Sequence, residues 1–100
     1  MDKDMNIYNG EIILISGGAG AIGSNLSRKF AESGAAKVII LDDLSASYKW
    51  NIPNLPNILF VKGSITNDND LKRVFHEKST YIFHLEAFFV NPLQNFLKKI

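Results

Sequence analysis

The chain has 100 residues and a mass of 11.2 kDa, which is the size of one small domain. Hydrophobic residues make up 46% of it and charged residues 21%, a composition typical of a folded globular domain and not of a disordered segment. Eleven Lys and Arg against ten Asp and Glu give a net charge of +1, which argues against a dedicated nucleic-acid binder. The sequence contains no cysteine, so disulfides, thiolate catalysis and cysteine-ligated metal sites are excluded.

The apolar stretches are short compared with the roughly 20 residues that cross a bilayer, and the first four residues do not resemble a signal peptide. We therefore expect a cytoplasmic protein with no membrane segment. Residues 1–10 lack a periodic apolar pattern, so we expect them to be a loose N-terminal lead-in. The folded domain is then expected in residues 11–100.

The first half of the chain predicts a strand, a helix and a second strand. Residues 12–15 are a continuous apolar run, which is typical of a strand buried on both faces of a parallel sheet. From Ala21 onwards, Ile22, Leu26 and Phe30 recur every four positions, which predicts an amphipathic helix that ends at Gly34 in an αL cap. Residues 38–41 repeat the apolar run and predict the second strand.

The second half continues the alternation after an irregular connection at residues 44–57, in which we expect Trp50 to anchor the loop against the sheet. Residues 58–61 predict a third strand, a helix begins near residues 66–68, and residues 81–85 predict a fourth strand. The second helix should bury Leu71, Val74 and Phe75, and Asn91-Pro92 predicts the start of a short final helix. Strands alternating with helices predict an α/β fold with a parallel sheet.

The strongest functional signal is a glycine loop between the first strand and the first helix. Glycines at positions 17, 20 and 23 give the spacing G-x-x-G-x-x-G, a close relative of the dinucleotide-binding fingerprint. Glycine lets backbone N–H groups approach a pyrophosphate, and the helix that follows directs the positive end of its dipole at the anion. A P-loop is excluded because the sequence contains no Gly-Lys-Ser or Gly-Lys-Thr.

A carboxylate follows the second predicted strand. Asp42 lies 19 residues after Gly23, where it can accept hydrogen bonds from the hydroxyls of an adenosine ribose. The same charge would repel a 2′-phosphate, which favours NAD over NADP. The alternative is a purely structural turn beside a solvated Asp42-Asp43 pair.

Four segments together resemble the N-terminal part of the NAD-dependent epimerase/dehydratase family, the extended short-chain dehydrogenase/reductases, over residues 11–87. They are Ser16-Gly17-Gly18-Ala19-Gly20-Ala21-Ile22-Gly23-Ser24, Val38-Ile39-Ile40-Leu41-Asp42-Asp43-Leu44-Ser45, Lys62-Gly63-Ser64-Ile65 and Phe83-His84-Leu85-Glu86-Ala87. The resemblance implies a Rossmann-type doubly wound parallel sheet, truncated to about four strands, that binds NAD. Residues 11–100 would then be a partial NAD-binding Rossmann domain.

The resemblance also implies which residues meet the cofactor. Those around the pyrophosphate would be Gly17, Gly20, Ala21, Ile22 and Gly23; those at the ribose, Asp42 and Asp43; those at the adenine, Ser64 and Ile65; and those on the nicotinamide side, Leu85 and Ala87. Ser64 replaces the family's common Asp but can still accept a hydrogen bond. Glu86 replaces a small Ala, and its charge would weaken cofactor binding unless the side chain turns outward.

The family's catalytic Tyr-x-x-x-Lys pair is absent from these residues. The positions four after Tyr8, Tyr48 and Tyr81 hold Ile12, Ile52 and Leu85, so no catalytic residue is assigned. His84 is expected to be a packing or hydrogen-bonding residue, and no metal site is expected.

Two hypotheses remain. The chain is the NAD-binding front portion of a nucleotide-sugar epimerase or dehydratase, which acts on its nucleotide sugar only if the missing half is supplied. Alternatively, it is a non-catalytic remnant or a nucleotide-binding interaction module. Under either hypothesis, a fourth strand at the sheet edge would favour self-association.

Overall fold

The computed structural model of the chain describes residues 7–45 and 47–85. The elements in this part are β1 (Ile12–Ser16), α1 (Ala21–Glu32), β2 (Lys37–Asp42), β3 (Ile58–Lys62), α2 (Asp68–Phe75) and β4 (Tyr81–His84). A single 3-10 turn, Lys49–Asn51, interrupts the irregular connection between β2 and β3. The four predicted strands and the first two predicted helices are thus confirmed, whereas the predicted final helix lies outside the described residues.

The four strands form one parallel sheet in the order β3-β2-β1-β4. In its register, Leu14 of β1 lies between Ile39 of β2 and Ile82 of β4. The chain moves from β1 to β2 and β3 on one side and then returns to place β4 on the other side of β1. This reversal creates a topological switch point between β1 and β4, as in a Rossmann-type fold.

Alternate residues of the strands face opposite sides of the sheet, and each face has its own core. The core beneath α1 contains Ile13, Ile15, Phe30, Ala31, Ala35 and Val38. The core beneath α2 contains Leu14, Ile39, Leu41, Val61 and Val74. Because the two helices cover opposite faces, the sheet is doubly wound, as predicted.

The predicted buried face of α1 is wrong at its first residue, Ile22. Ile22 is 59% exposed, and the buried positions of this helix include Gly23 and Ser27 beside Phe30 and Ala31. Small residues at 23 and 27 bring the start of the helix close to the loop before it, so the stripe facing the sheet shifts by one position. Phe75 of α2, predicted to be buried, is also 53% exposed.

The end of the expected lead-in packs on the fold. The Tyr8 ring meets Phe30 and Tyr81 edge-on, with centroids 4.7 and 4.8 Å apart, and Glu11 N donates to Tyr8 O at 3.0 Å. Tyr8 therefore extends the core beneath α1 instead of belonging to a loose segment. Among the described residues, neither helix has the length and apolar character needed to cross a membrane.

Candidate functional site

The loops that follow the four strands lie side by side at the carboxyl edge of the sheet. Gly17 N donates to Leu41 O at 2.8 Å, Gly63 N donates to Asp42 O at 3.1 Å, and Leu85 N donates to Ser16 O at 2.8 Å. These bonds join the loops after β1, β2, β3 and β4 into one rim. In open α/β sheets, ligands bind in the crevice outside this edge, at the switch point.

The glycine loop forms a tight turn against the start of α1. Gly17 has a φ of +80°, a conformation that favours glycine, and Gly20 N donates to Gly17 O at 3.2 Å. A Cβ on Gly23 would collide with Gly17 O and would lie 2.7 Å from Gly18 Cα. The helix start can therefore rest directly on the loop only because residue 23 is glycine.

The first turn of α1 keeps its positive character. Its N-cap is Gly20, which makes no side-chain cap, and the turn contains no acidic residue. By contrast, α2 is capped by Asn67, whose Oδ1 accepts from Asp70 N at 3.1 Å, and its first turn holds two aspartates. The N-terminus of α1 is thus suited to an anionic ligand in a way that the N-terminus of α2 is not.

Asp42 is a buried carboxylate that holds the glycine loop. Asp42 is only 5% exposed. Oδ2 accepts from Ala19 N at 3.0 Å, Oδ1 accepts from Leu44 N at 2.8 Å, and the Ser47 hydroxyl lies 2.9 Å from both oxygens. The alternative of a solvated Asp42 is therefore wrong, while its predicted bond to a ribose stays a prediction.

Asp43 is the exposed member of the pair. Its Oδ1 accepts from Ser45 N at 2.9 Å. Hydrogen bonds from the Ser45 side chain and backbone lower the pKa of Asp43 below its usual value. Asp43 therefore carries its charge at the rim of the site, next to the buried charge of Asp42.

Two polar residues fasten the irregular connection to the glycine loop, and sequence reasoning assigned a role to neither. Ser47 reaches Asp42, and Asn51 Nδ2 donates to Ala19 O at 3.1 Å. Trp50, expected to anchor this connection, is instead 78% exposed and stacks on Tyr48 with ring centroids 4.3 Å apart. The only available signal was the cluster of polar residues that follows the two aspartates.

Ser64 and Ile65, the residues predicted to meet the adenine, follow β3 beside the end of β2. Ser64 N donates to Asp70 Oδ2 at 3.0 Å, and the hydroxyls of Ser64 and Thr66 are 2.8 Å apart. Ile65 is half-buried against the core beneath α2. Asp70 is a further positioning residue that sequence reasoning missed.

The switch-point end of the rim is built by Ser16, His84 and Leu85. The Ser16 hydroxyl and His84 Nδ1 are 2.9 Å apart, which confirms the expected hydrogen-bonding role of this histidine. Leu85 is half-buried against the core beneath α1, next to the start of the glycine loop. Glu86 and the predicted contact residue Ala87 lie outside the described residues. In residues 7–45 and 47–85, no cluster of three or more His, Asp or Glu side chains is placed to hold a metal ion.

Comparison with known proteins finds a matching family and several relatives. A profile of the NAD dependent epimerase/dehydratase family matches residues 13–98. The dTDP-D-glucose 4,6-dehydratase of Dictyostelium discoideum is 41% identical over an alignment that covers 76% of this chain and 19% of that protein.

Solved structures agree with this match. The epimerase Mth375 of Methanothermobacter thermautotrophicus superposes with a TM-score of 0.79 and 55% identity, over 82% of this chain and 24% of that one. The Bordetella bronchiseptica enzyme WbmF, solved in complex with NAD+, gives a TM-score of 0.72 and 34% identity, over 79% of this chain and 24% of that one. The chain thus spans less than a third of the length of the relatives it matches.

Proposed function

The chain belongs to the NAD-dependent epimerase/dehydratase family, and we propose that it binds NAD through the adenosine half of the cofactor. One observation carries the proposal: the uncapped N-terminus of α1, behind the tight glycine loop, lies beside a buried carboxylate at the end of β2. The first feature suits a pyrophosphate and the second suits a ribose.

The described residues fit each part of this half in chemical terms. N–H groups of Ala21, Ile22 and Gly23 would face the pyrophosphate, since they open an α1 whose first turn has no acidic residue. Asp42, with Asp43 at the rim, would accept from the ribose hydroxyls, and two adjacent carboxylates disfavour the 2′-phosphate of NADP. Ser64 and Ile65 would receive the adenine. Leu85 and Ala87 would lie towards the nicotinamide.

We further propose that this chain is the cofactor-binding front portion of a nucleotide-sugar epimerase or dehydratase of the cytoplasm. The dTDP-D-glucose 4,6-dehydratase among its relatives supports this substrate class. The chain matches 19% of that protein's length, which leaves room for a catalytic half. NAD supplies hydride transfer when bound, and the acid–base groups would come from protein beyond these residues.

A second candidate is a nucleotide-binding module without catalysis. None of Tyr8, Tyr48 and Tyr81 is followed four residues later by lysine, so the sequence provides no Tyr-x-x-x-Lys pair. The two candidates share the cofactor site and differ in whether addition of the missing half restores turnover.

Titration calorimetry of the full chain with NAD and with NADP tests the proposal. We expect saturable NAD binding, weaker binding of NADP, and no epimerase or dehydrogenase turnover. Absence of heat and of a thermal shift at millimolar NAD would exclude the cofactor site. NAD-dependent turnover by this chain alone would exclude the proposal that the catalytic groups come from protein beyond these residues.

Gly20→Val tests the role of the glycine loop in binding. Gly20 has φ −75° and ψ 174°, an extended conformation open to any residue, so valine strains no backbone there. Its side chain would stand at the N-terminus of α1, where we propose that the pyrophosphate binds, so we expect loss of NAD binding. Because Gly20 is buried, thermal unfolding of the variant is measured beside the titration. Ser33→Ala, at the opposite end of α1, is the control and should bind NAD as the unaltered chain does.

A further inference from the structure

The Ser47 hydroxyl makes hydrogen bonds to Asp42, the carboxylate that we propose binds the ribose. It lies 2.9 Å from Oδ1 and 2.9 Å from Oδ2 of Asp42. A carboxylate offers about four lone-pair positions for hydrogen bonds. Ala19 N and Leu44 N each take one of them, at 3.0 and 2.8 Å, and the Ser47 hydroxyl bridges between the two oxygens.

These three donors differ in how readily they can leave. Ala19 N belongs to the glycine loop, whose Gly17 N is bonded to β2, and Leu44 N is two residues from Asp42 in the chain. Both are backbone groups whose withdrawal would require the loops to move. Ser47 holds Asp42 with a side chain, and rotation about one bond releases it.

We propose that Ser47 is an internal competitor of the ribose, and that its hydroxyl must leave Asp42 before a vicinal diol can bind there. This inference rests on the proposed function, since it concerns the same carboxylate. In the free protein, the Ser47 hydroxyl satisfies the buried charge of Asp42 and keeps the connection after β2 against the glycine loop. Each diol that binds must replace a hydrogen bond to a charged group, so Ser47 lowers the affinity of the site and makes it depend on both ribose hydroxyls.

The aromatic pair after Ser47 provides a local signal. Tyr48 and Trp50 stack with an interplanar angle of 13°, and both are exposed. Trp50 is the single tryptophan of the chain, so its fluorescence reports on this segment alone. We expect release of Ser47 to change Trp50 emission, because the aromatic residues follow it directly in the chain.

The test measures binding of ADP and of 2′,3′-dideoxy-ADP to the full chain and to three variants, with folding checked by thermal unfolding. Ser47→Ala should bind ADP about two- to tenfold more tightly than the unaltered chain, the factor expected from removing one competing hydrogen bond. Ser47→Thr keeps a hydroxyl and should restore the original affinity. Ser33→Ala, remote from Asp42, should leave the affinity unchanged. The dideoxy compound should show no gain from Ser47→Ala, because it has no diol to compete.

The outcomes distinguish failure of the Ser47 proposal from failure of the proposed cofactor binding. If the unaltered chain binds ADP but Ser47→Ala binds it equally or more weakly, Ser47 is not a competitor and the cofactor site stands. An equal gain for the dideoxy compound would also overturn the inference, since the effect would then not pass through the diol. If neither the chain nor its variants bind ADP, the proposed function fails and this inference fails with it.

Discussion

Gly23→Ala is the substitution whose effect the structure constrains most closely. The added Cβ would collide with Gly17 O and lie 2.7 Å from Gly18 Cα, and both of these atoms belong to the backbone. Overpacking of this kind costs roughly 1–3 kcal/mol, with the upper part of the range expected where no flexible side chain can move aside. Alanine in place of glycine inside a helix returns about 1 kcal/mol.

The expected net loss is therefore about 1–2 kcal/mol of unfolding free energy, or a decrease in Tm of about 5–15 °C for a domain of this size. ADP-ribose binding should weaken as well, because the start of α1 must move away from the glycine loop. Circular dichroism melting and calorimetry measure the two effects. Lys29→Ala, an exposed alanine substitution in the same helix, is the control and should change stability by less than about 0.5 kcal/mol. If Gly23→Ala melts at or above the unaltered chain and binds ADP-ribose equally well, the close approach of α1 to the loop is not what the glycine provides.

Two further predictions concern the rim and the sheet edge. The pKa of Asp43 is lowered in the folded chain, so its ionised form adds stability above the free-aspartate pKa of about 4 and this contribution is lost as pH falls through the folded pKa. Between pH 5 and pH 2.5, Asp43→Asn should therefore lose less unfolding free energy than the unaltered chain, and the difference should be less than about 1 kcal/mol because the group is exposed. If Tm falls equally with pH in both proteins, the lowered pKa of Asp43 is refuted. Within the described residues β4 is an edge strand and Ile82 is 56% exposed, so light scattering should detect self-association that Ile82→Lys reduces. A chain that stays monomeric at high concentration without the substitution contradicts this prediction.

The sequence was sufficient for the elements because the apolar periods are clear. Continuous runs such as residues 12–15 predict buried strands, and Gly34, with a φ of +100°, ends α1 as its position predicted. The prediction for Ile22 is wrong because a helical pattern assigns every apolar residue at the right spacing to the buried face. The helix is in fact oriented by how closely Gly23 and Ser27 let it approach, and that depends on three-dimensional contact.

The candidate site was predictable only in part, for a related reason. The glycine loop and Asp42 have a spacing set by strand and helix geometry, so local sequence reveals them. Ser47 and Asn51 act through the path of an irregular connection, which no period describes, and Trp50 was assigned to the sheet because large aromatic residues are commonly buried. Asp70 likewise reaches Ser64 N across a turn, from the first turn of α2.

The most direct test of the central claim compares two pieces of NAD on the unaltered chain: ADP-ribose, which contains the adenosine and the pyrophosphate, and nicotinamide mononucleotide, which lacks the adenosine. Calorimetric titration with ADP-ribose should give saturable binding at one site, with a matching increase in Tm, whereas nicotinamide mononucleotide should give neither. Equal binding of the two compounds, or binding of nicotinamide mononucleotide alone, would contradict the assignment of the glycine loop and Asp42 to the adenosine half of NAD.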